Sequence, residues 1–483
     1  MTRLVVGPFN RVEGDLEVTL DVADGRVREA RVNSPLYRGF EQILLGKAPL
    51  DALVLVPRIC GICSVAQSSA AALALAAASG LAPPANGRLA ANLVLGAENL
   101  ADHVTHFYLF FMPDFARGEY ADRLWYGDAL ARFKAGSGSG PRQMLPARAA
   151  FLGLMGVLAG KWPHTLALQP GGTTRPVLAA EVVQLYVRLR EFRAFLETTL
   201  FGDGLEAVAA LDSFAALMAW SQGGAAAASD FGRFLRIAGD LELWRLGRAA
   251  DVFLSYGAYG LAEDGRRLFP AGVWDGGPSA FDDKDVAEDV SHAWLAGAEE
   301  PRHPLAESTL PEAEKEGAYS WCKAPRLGGR VAEVGALARQ LVAGHPLARD
   351  LAARDGGNVF ARVVMRLLEI ARLLPVMEEW AKALEPGAPF CHHAAMPDEA
   401  EGVGLVEAAR GSLGHWLRVR QGRIDNYQII APTTWNFSPR DGAGRPGALE
   451  QALAGLAVDD CRAPVAVQHI VRSFDPCMVC TVH

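Results

Sequence analysis

The sequence has no basic stripe, no long apolar run and no signal peptide. Lysine and arginine are scattered, and the formal net charge of -8 argues against a surface that binds nucleic acid or an anionic membrane. The alanine-rich stretch 70–78 is too short to span a bilayer. The N-terminus, M-T-R-L-V-V-G, lacks the basic and apolar regions that direct secretion. We therefore expect a cytoplasmic protein without a membrane span.

Cysteine is also scarce. The chain has seven cysteines among 483 residues, and an odd number without a signal peptide indicates free thiols rather than disulfides. Four of them form two Cys-x-x-C pairs, Cys60 with Cys63 and Cys477 with Cys480, at opposite ends of the chain. Seven thiols cannot serve such a site and also hold several iron–sulfur clusters, which take four each. Any electron relay is therefore expected on another chain.

The two pairs can supply four thiolates to one centre only if the fold brings the chain ends together. A structural zinc site and redox dithiols are the plain alternatives. Zinc ribbons keep their pairs about 15–20 residues apart, whereas nearly the whole chain separates these two, which weakens the zinc interpretation. Four soft thiolates suit nickel, iron or zinc. The spacing therefore leaves the metal open and predicts a buried C-terminal tail.

The hydrophobic pattern predicts a mainly α fold with a small β portion. Residues 3–33 alternate apolar and polar side chains, which favours strands joined by a tight turn at Asp24-Gly25. Helices are expected over 64–79, 89–112, 177–200 and 359–384, β segments near 403–433, and surface segments over 132–142, 262–286 and 297–318. The length allows one large domain over 1–483: an N-terminal β element, 1–56, and a body of long helices, 57–483, that holds the tail.

Five motifs together resemble the large subunit of nickel–iron hydrogenases, and the resemblance covers essentially the whole chain. In chain order they are R-V-E-G, R-I-C-G-I-C, E-A-A-R-G-S-L-G-H-W, P-T-T-W-N-F-S-P-R-D and D-P-C-M-V-C-T-V-H. Taken alone, Glu13 in the first motif would be a solvated turn carboxylate, and Arg410 in the third a surface ion pair. Several motifs in the family's order carry more weight than any one of them.

The resemblance implies a nickel–iron centre with CO and two cyanide ligands, at which H2 is cleaved heterolytically. Cys60 and Cys477 would be terminal nickel ligands, and Cys63 and Cys480 would bridge nickel to iron. Cys477 would take the proton first, and Glu13 would pass it on, because proton transfer needs a carboxyl group within hydrogen-bond reach.

The resemblance also implies residues that bind the diatomic ligands and a second metal. Arg410, paired with Asp114, would lie over the open side of the metals, and Thr433 would hydrogen-bond a cyanide. The remaining residues implied are Pro432 and Leu413 beside the ligands, and Glu41, the carbonyl of Ile429 and His483 as ligands of a Mg2+ ion. Ala409 stands where the family usually has proline before the arginine, which would loosen that loop.

Three departures from the family pattern resemble its H2-sensing branch. Gln67 replaces a common histidine, and an amide cannot titrate near neutral pH. Ile62 and Phe110 stand where valine and leucine are common, and their bulk would narrow a gas channel and retard O2. The chain ends at His483, whereas most family precursors carry an extension, so we expect that none is encoded here.

The sequence therefore predicts an O2-tolerant H2 sensor of low turnover that signals to a histidine kinase. Its implied partners are a small subunit with iron–sulfur clusters and the maturation proteins that insert nickel. The alternative is a respiratory uptake hydrogenase. A non-catalytic relative, like the quinone-site subunit of respiratory complex I, would have lost the cysteine ligands, and this chain keeps all four.

Overall fold

A computed structural model describes residues 2–262, 265–297, 300–458 and 464–481. Its α-helices are α1 (Phe40–Leu44), α2 (Ala52–Leu55), α3 (Ser64–Ser79), α4 (Ala85–Thr105), α5 (Tyr126–Phe133), α6 (Ser139–Ala159), α7 (Ala179–Phe195), α8 (Leu205–Ala209), α9 (Phe214–Trp220), α10 (Gly224–Ala228), α11 (Asp230–Asp240), α12 (Ala336–Val342), α13 (Pro346–Asp355), α14 (Val359–Lys382), α15 (Pro432–Asn436), α16 (Ala448–Leu453) and α17 (Val465–Ser473).

The strands are short, apart from those in two three-stranded sheets. They are β1 (Thr2–Val6), β2 (Glu17–Ala23), β3 (Arg26–Asn33), β4 (Leu168–Gln169), β5 (Gly172–Thr173), β6 (Phe253–Ser255), β7 (Ala258–Gly260), β8 (Arg267–Phe269), β9 (Gly272–Trp274), β10 (Pro278–Ser279), β11 (Val286–Asp289), β12 (Leu295–Ala296), β13 (Leu310–Pro311), β14 (Ala324–Leu327), β15 (Glu333–Val334), β16 (Ala400–Ala408), β17 (Gly411–Arg420) and β18 (Arg423–Ile430). The predicted fold class, mainly α with a smaller β portion, is confirmed.

Long helices form the core. α4 packs against α6 and α14, and α7 packs against the same two helices. Their buried leucine, valine and phenylalanine side chains belong to one apolar cluster that also takes in β2, β3 and the four paired cysteines. Among the helices of the described ranges, none combines the length and the apolarity needed to cross a membrane.

The N-terminal sheet has the order β1-β2-β3, with antiparallel neighbours. Asp24 and Gly25 join β2 to β3 with φ of 54° and 69°, the left-handed conformation that a tight hairpin turn requires. The predicted turn is therefore confirmed. Val18 and Leu20 are fully buried, which turns this face of β2 toward the helices.

The second sheet, β16-β17-β18, packs its first strand against α3. A Cβ atom on Gly404 would lie 1.9 Å from the carbonyl oxygen of Ala70, and one on Gly402 would lie 2.0 Å from that of Ala74. Glycine on the strand and alanine on the helix thus permit close approach of the two backbones. This contact places the helix that follows Cys63 against the strand that leads to Arg410.

Candidate metal centre

Four cysteine thiols from the two ends of the chain converge. The sulfurs of Cys60, Cys63, Cys477 and Cys480 all lie within 4.8 Å of one another, and the Cys477–Cys480 pair is separated by 2.9 Å. Each thiol is free and at most 8% exposed. Within the described ranges this is the one group of three or more His, Cys, Asp or Glu side chains whose ligand atoms lie close enough to hold a metal ion. The sequence prediction that the ends meet is confirmed.

The first pair lies between a short 3-10 turn and α3. Cys60 follows the turn, and its sulfur accepts a hydrogen bond from the backbone N–H of Ile62 at 3.3 Å. Cys63 is the N-cap residue of α3. The helix dipole at this position favours an anion, while hydrogen bonds with the neighbouring thiols and burial raise the pKa of the Cys63 thiol in the absence of a metal.

The second pair is held by side chains that bind the carbonyls before it. His106 donates to the carbonyl of Arg472 at 2.6 Å, and Arg366 donates to those of Ser473 and Phe474 at 2.5 and 3.0 Å. The cationic Arg366 suits these carbonyls, because they end α17, where the helix dipole is negative. The described part of the tail is therefore fixed inside the protein, as predicted.

Glu13 lies beside the second pair. Its N–H donates to the carbonyl of Pro476 at 3.3 Å, and its carbonyl accepts from the N–H of Met478 at 2.7 Å, so the two segments run in parallel past Cys477. Gly14 makes this approach possible, because it adopts φ +82° and a Cβ there would lie 2.9 Å from Val479. Burial raises the pKa of Glu13, Cys60 raises it further, and Arg410 opposes the rise.

Arg410 occupies the two-residue turn between β16 and β17. Its Nε donates to the carbonyl of Asp475 at 2.9 Å, and one Nη donates to the carboxylates of Asp102 and Asp475 at 3.1 and 3.3 Å. Burial raises the pKa of Asp102 to about 7, against the pull of Arg410. Asp102 and Asp475 were missed in the sequence. An acidic residue inside the apolar helix α4 was the available signal for Asp102.

The predicted pairing of Asp114 with Arg410 is wrong. Asp114 lies beyond α4, where it accepts from Arg472 at 2.8 Å and from Arg11, with His469 at 3.4 Å. Burial alone would raise the pKa of Asp114, but His469, Arg472 and Arg11 hold it below its usual range. α4 gives way to a wider π-helical turn over His106–Phe111, and Asp114 follows that turn. The carboxylate therefore faces α17 and the N-terminal segment instead of the turn at Arg410.

Ala409 does not leave the Arg410 turn loose. Arg339 donates to the carbonyls of Ala408 and Ala409 at 2.9 and 3.0 Å. The same guanidinium binds both oxygens of Glu369 at 2.8 Å and one oxygen of Glu407 at 2.7 Å. A wholly buried arginine thus restrains the turn without proline, a role that the sequence pattern did not predict.

The other residues expected around the centre lie on the elements that carry the cysteines and Arg410. Thr433, in α15, accepts a hydrogen bond from the N–H of Cys477 at 3.0 Å through its hydroxyl oxygen. Pro432 begins α15, and Leu413 is buried in β17. The amide oxygen of Gln67 lies 2.8 Å from Nε2 of His415. Ile62 and Phe110 are half-buried.

The expected magnesium ligands lie in a buried polar cluster. Glu41 accepts from the N–H of Ile429 at 2.8 Å and from Lys323 at 3.1 Å. Lys323 also binds Glu288 at 3.2 Å, and among the described residues nothing hydrogen-bonds the second oxygen of Glu288. Burial raises the pKa of Glu288 to about 7, while Lys323 opposes the rise. A cation beside the free oxygen of Glu288 would favour the ionised carboxylate, so the oxygen ligands of this cluster fit a hard cation. His483 lies outside the described residues.

The donor set also fits a centre that carries anionic diatomic ligands. In the described ranges one Nη of Arg410 has no hydrogen-bond partner, and the Thr433 hydroxyl keeps its own hydrogen to donate. Soft thiolates bind nickel and iron, and donors at two sides would bind cyanide. The fold and the site thus define a protein with a buried, thiolate-ligated metal centre.

Comparison with known proteins identifies the family. The chain matches the model of nickel-dependent hydrogenases over residues 38–117 and 143–483. It is 32% identical to the large subunit of the periplasmic NiFeSe hydrogenase of Desulfomicrobium baculatum and 26% identical to the uptake hydrogenase large subunit of Cupriavidus necator; each alignment covers 100% of this chain and 95% of the relative. The Ni-Fe-Se hydrogenase of D. vulgaris Hildenborough has the same fold, with a TM-score of 0.86, 33% identity and 100% coverage of both chains.

The chain therefore belongs to the nickel-dependent hydrogenase family, as a large subunit with the four-cysteine nickel–iron site. It is an oxidoreductase. Two of the similar proteins are named as selenium-containing enzymes, whereas all four ligand positions here are cysteines.

Proposed function

We propose that this chain cleaves H2 heterolytically in complex with a small subunit that carries iron–sulfur clusters. The observation that carries the proposal is the group of four buried, free thiols within 4.8 Å, with Glu13 beside one pair and Arg410 near it. When bound, nickel and an iron with CO and two cyanides would supply the site at which H2 is polarised and split.

The residues of the chain have separate tasks in this proposal. Cys477 would accept the proton, and Glu13 would carry it away from a site that bulk water does not reach. Arg410 and Thr433 would hold cyanide ligands through the donors that remain available to them. Asp102 and Asp475 hold the Arg410 guanidinium in place.

Isotope exchange tests the proposal. The purified two-subunit complex, matured with nickel, should exchange D2 with the protons of water. Cys477→Ala should retain neither nickel nor exchange, because it removes one of the four ligands. Exchange at the parent rate in a Cys477→Ala complex, or no exchange in a parent loaded with nickel, would contradict the proposal.

We infer that the physiological role is H2 sensing, and the support is Gln67, Ile62 and Phe110. The named relatives are a NiFeSe enzyme and an uptake hydrogenase, which favours the alternative of respiratory uptake. Turnover under H2, with and without O2, separates the two roles. A sensor should turn over at the low end of the usual range of about 1–10³ s⁻¹ and keep its activity in air. High turnover that air abolishes would establish the uptake enzyme.

The location and the signalling partner of the complex are further proposals. The sequence favours the cytoplasm, while one relative is named as periplasmic. A histidine kinase as partner follows from the sensor role, and H2-dependent kinase autophosphorylation in the presence of the complex would be its direct assay.

Reducing the two bulky side chains is expected to make the activity sensitive to O2. Ile62→Val removes one methylene, and Phe110→Leu replaces an aromatic ring by a smaller branched chain. Together they widen the route that these half-buried side chains are proposed to narrow. The measurement is H2 oxidation before and after exposure to air. Ile43→Val with Phe281→Leu makes the same chemical change in α1 and after β10 and should behave as the parent. A gas-route double variant that tolerates air equally well would refute the O2 filter.

We also propose a Mg2+ ion at Glu41, Glu288 and the carbonyl of Ile429, with His483 as a further ligand. Glu41→Gln is expected to abolish bound magnesium, because it removes the charge that balances the cation. Elemental analysis measures the magnesium, and the melting temperature with and without chelator measures its effect, since a ligand at a hundredfold its Kd stabilises a fold by about 2.7 kcal/mol. The exposed Glu312→Gln serves as the control. A magnesium content in Glu41→Gln equal to that of the parent would contradict the proposed magnesium site.

A further inference from the structure

A buried carboxylate, Glu98, lies against the N-terminus of the helix that follows Cys63. It is 2% exposed on α4. One oxygen accepts from the N–H of Val65 and the other from the N–H of Ala66, both at 2.9 Å. The indole N–H of Trp162 donates to the first oxygen at 2.9 Å. Among the described residues no lysine or arginine pairs with this carboxylate, so its bonds are to these N–H groups and, more weakly, to Ser64 at 3.5 Å.

Val65 and Ala66 are the second and third residues of α3, whose N-cap is Cys63. The first N–H groups of a helix have no partner inside it, and the N-cap side chain normally accepts that of the second or the third residue. Here the Cys63 side chain caps neither. Glu98 accepts both hydrogen bonds from another helix.

The sulfur of Cys63 is therefore left without a backbone donor. In the described residues Cys60 accepts the N–H of Ile62, whereas the only hydrogen-bond contact of the Cys63 sulfur is with Cys480, at 3.3 Å. A hydrogen bond to a thiolate withdraws electron density that it would otherwise give to a metal. Capping by Glu98 thus leaves the full donor strength of Cys63 available.

We propose that Glu98 is a positioning residue that caps α3 in place of Cys63 and so reserves the Cys63 sulfur for the metal centre. This inference rests on the proposed function for the part that concerns the metal. The capping itself is a property of the fold. The indole N–H of Trp162 donates to one oxygen of the carboxylate and helps to orient it.

Electrostatics agree with a capping role. Burial raises the pKa of Glu98 to about 8, and the N–H of Val65, the indole of Trp162 and the N–H of Ala66 oppose that rise. Both protonation states keep oxygen lone pairs that can accept the two backbone hydrogen bonds. The geometry therefore serves the same purpose whether or not the carboxyl carries a proton.

A graded pair of variants tests the proposal. Glu98→Leu removes both caps, while Glu98→Gln keeps one oxygen and turns an amide N–H toward the other donor. Hydrogen exchange in the complex should accelerate about tenfold at Val65 and Ala66 in the leucine variant and by less in the glutamine variant. The infrared CO stretch should move to higher wavenumber in the same order, since a freed N–H that turns to Cys63 weakens its donation.

Glu450 supplies a matched control. It is also a buried carboxyl that accepts two backbone N–H groups, of Val32 and Gly447, at 3.0 and 3.2 Å, and a side-chain hydroxyl, of Tyr319, at 2.7 Å. Glu450→Gln should accelerate backbone hydrogen exchange near the start of α16 and leave the CO stretch unchanged.

Hydrogen exchange tests the capping role of Glu98, and the CO stretch tests its effect on Cys63. Unchanged exchange at Val65 and Ala66 in both Glu98 variants would overturn the capping role, and faster exchange with an unshifted CO stretch would overturn the effect on Cys63. If the leucine variant does not fold, the glutamine variant decides by the same two measurements. A parent complex without CO and cyanide bands would refute the proposed function, while the exchange data would still decide the cap.

Discussion

Glu13→Gln is expected to reduce D2/H+ exchange by about 10²–10⁴-fold, the range that a positioned acid–base group contributes, while nickel content and the infrared bands stay as in the parent. Glutamine has the shape of glutamate, and the backbone bonds of Glu13 to Pro476 and Met478 do not involve the side chain. The tail and its cysteines should therefore remain in place. An amide cannot take up and release a proton, so only proton transfer is removed.

Asp15→Asn is the control for this variant. Asp15 is exposed two residues further along, and the substitution makes the same change from carboxylate to amide near the site. It should exchange as the parent does. Parent-like exchange in a Glu13→Gln complex that contains nickel would remove Glu13 from the proton route.

Arg339→Met is expected to destabilise the protein by about 3–5 kcal/mol, the usual loss when one partner of a buried ion pair is removed. The substitution leaves Glu369 and Glu407 buried without their cation and frees the carbonyls of Ala408 and Ala409. Because these carbonyls belong to the turn before Arg410, the variant should also perturb the infrared bands of the centre. Chemical denaturation measures the first effect, and infrared spectroscopy measures the second.

Arg330→Met is the control, because it makes the same substitution at a surface ion pair and shows how much stability the loss of an arginine costs outside the core. Arg330 pairs with Asp275 at the surface, and both side chains are about half exposed, so its loss should change stability by about 1 kcal/mol or less. Equal destabilisation by the two variants would contradict the role of Arg339. A stable Arg339→Met protein with unchanged bands would do the same.

Local pattern predicted the elements that are strongly apolar and uninterrupted. Residues 64–79 form a helix with the predicted bounds, because alanine and leucine favour the helix and Gly80 ends it with φ +65°. The helix Ser139–Ala159 was missed. Gly138, Gly140 and Pro141 indicated a surface segment, yet Pro141 lies in the first helical turn, where a missing N–H is tolerated.

In the candidate site, too, the sequence predicted some residues and missed others. Cysteine spacing and motif order predicted the four thiols and Glu13, because these residues belong to short, specific segments. The partner of Arg410 could not be chosen from the sequence, since Asp102 and Asp114 lie twelve residues apart in one apolar stretch and only packing decides which faces the centre. Glu98 and Arg339 act through contacts 30 or more residues away in the chain, which no local pattern indicates.

The presence of a nickel–iron centre can be decided by the infrared spectrum of the purified two-subunit complex, recorded in air and then under H2. We expect CO and cyanide stretches that shift on addition of H2, from a sample that contains nickel and iron. Bands that survive air and respond promptly would support the sensor, and an air-inactivated state that reactivates slowly would support the uptake enzyme. A sample with zinc at the four cysteines and no such bands would contradict a nickel–iron centre in this protein.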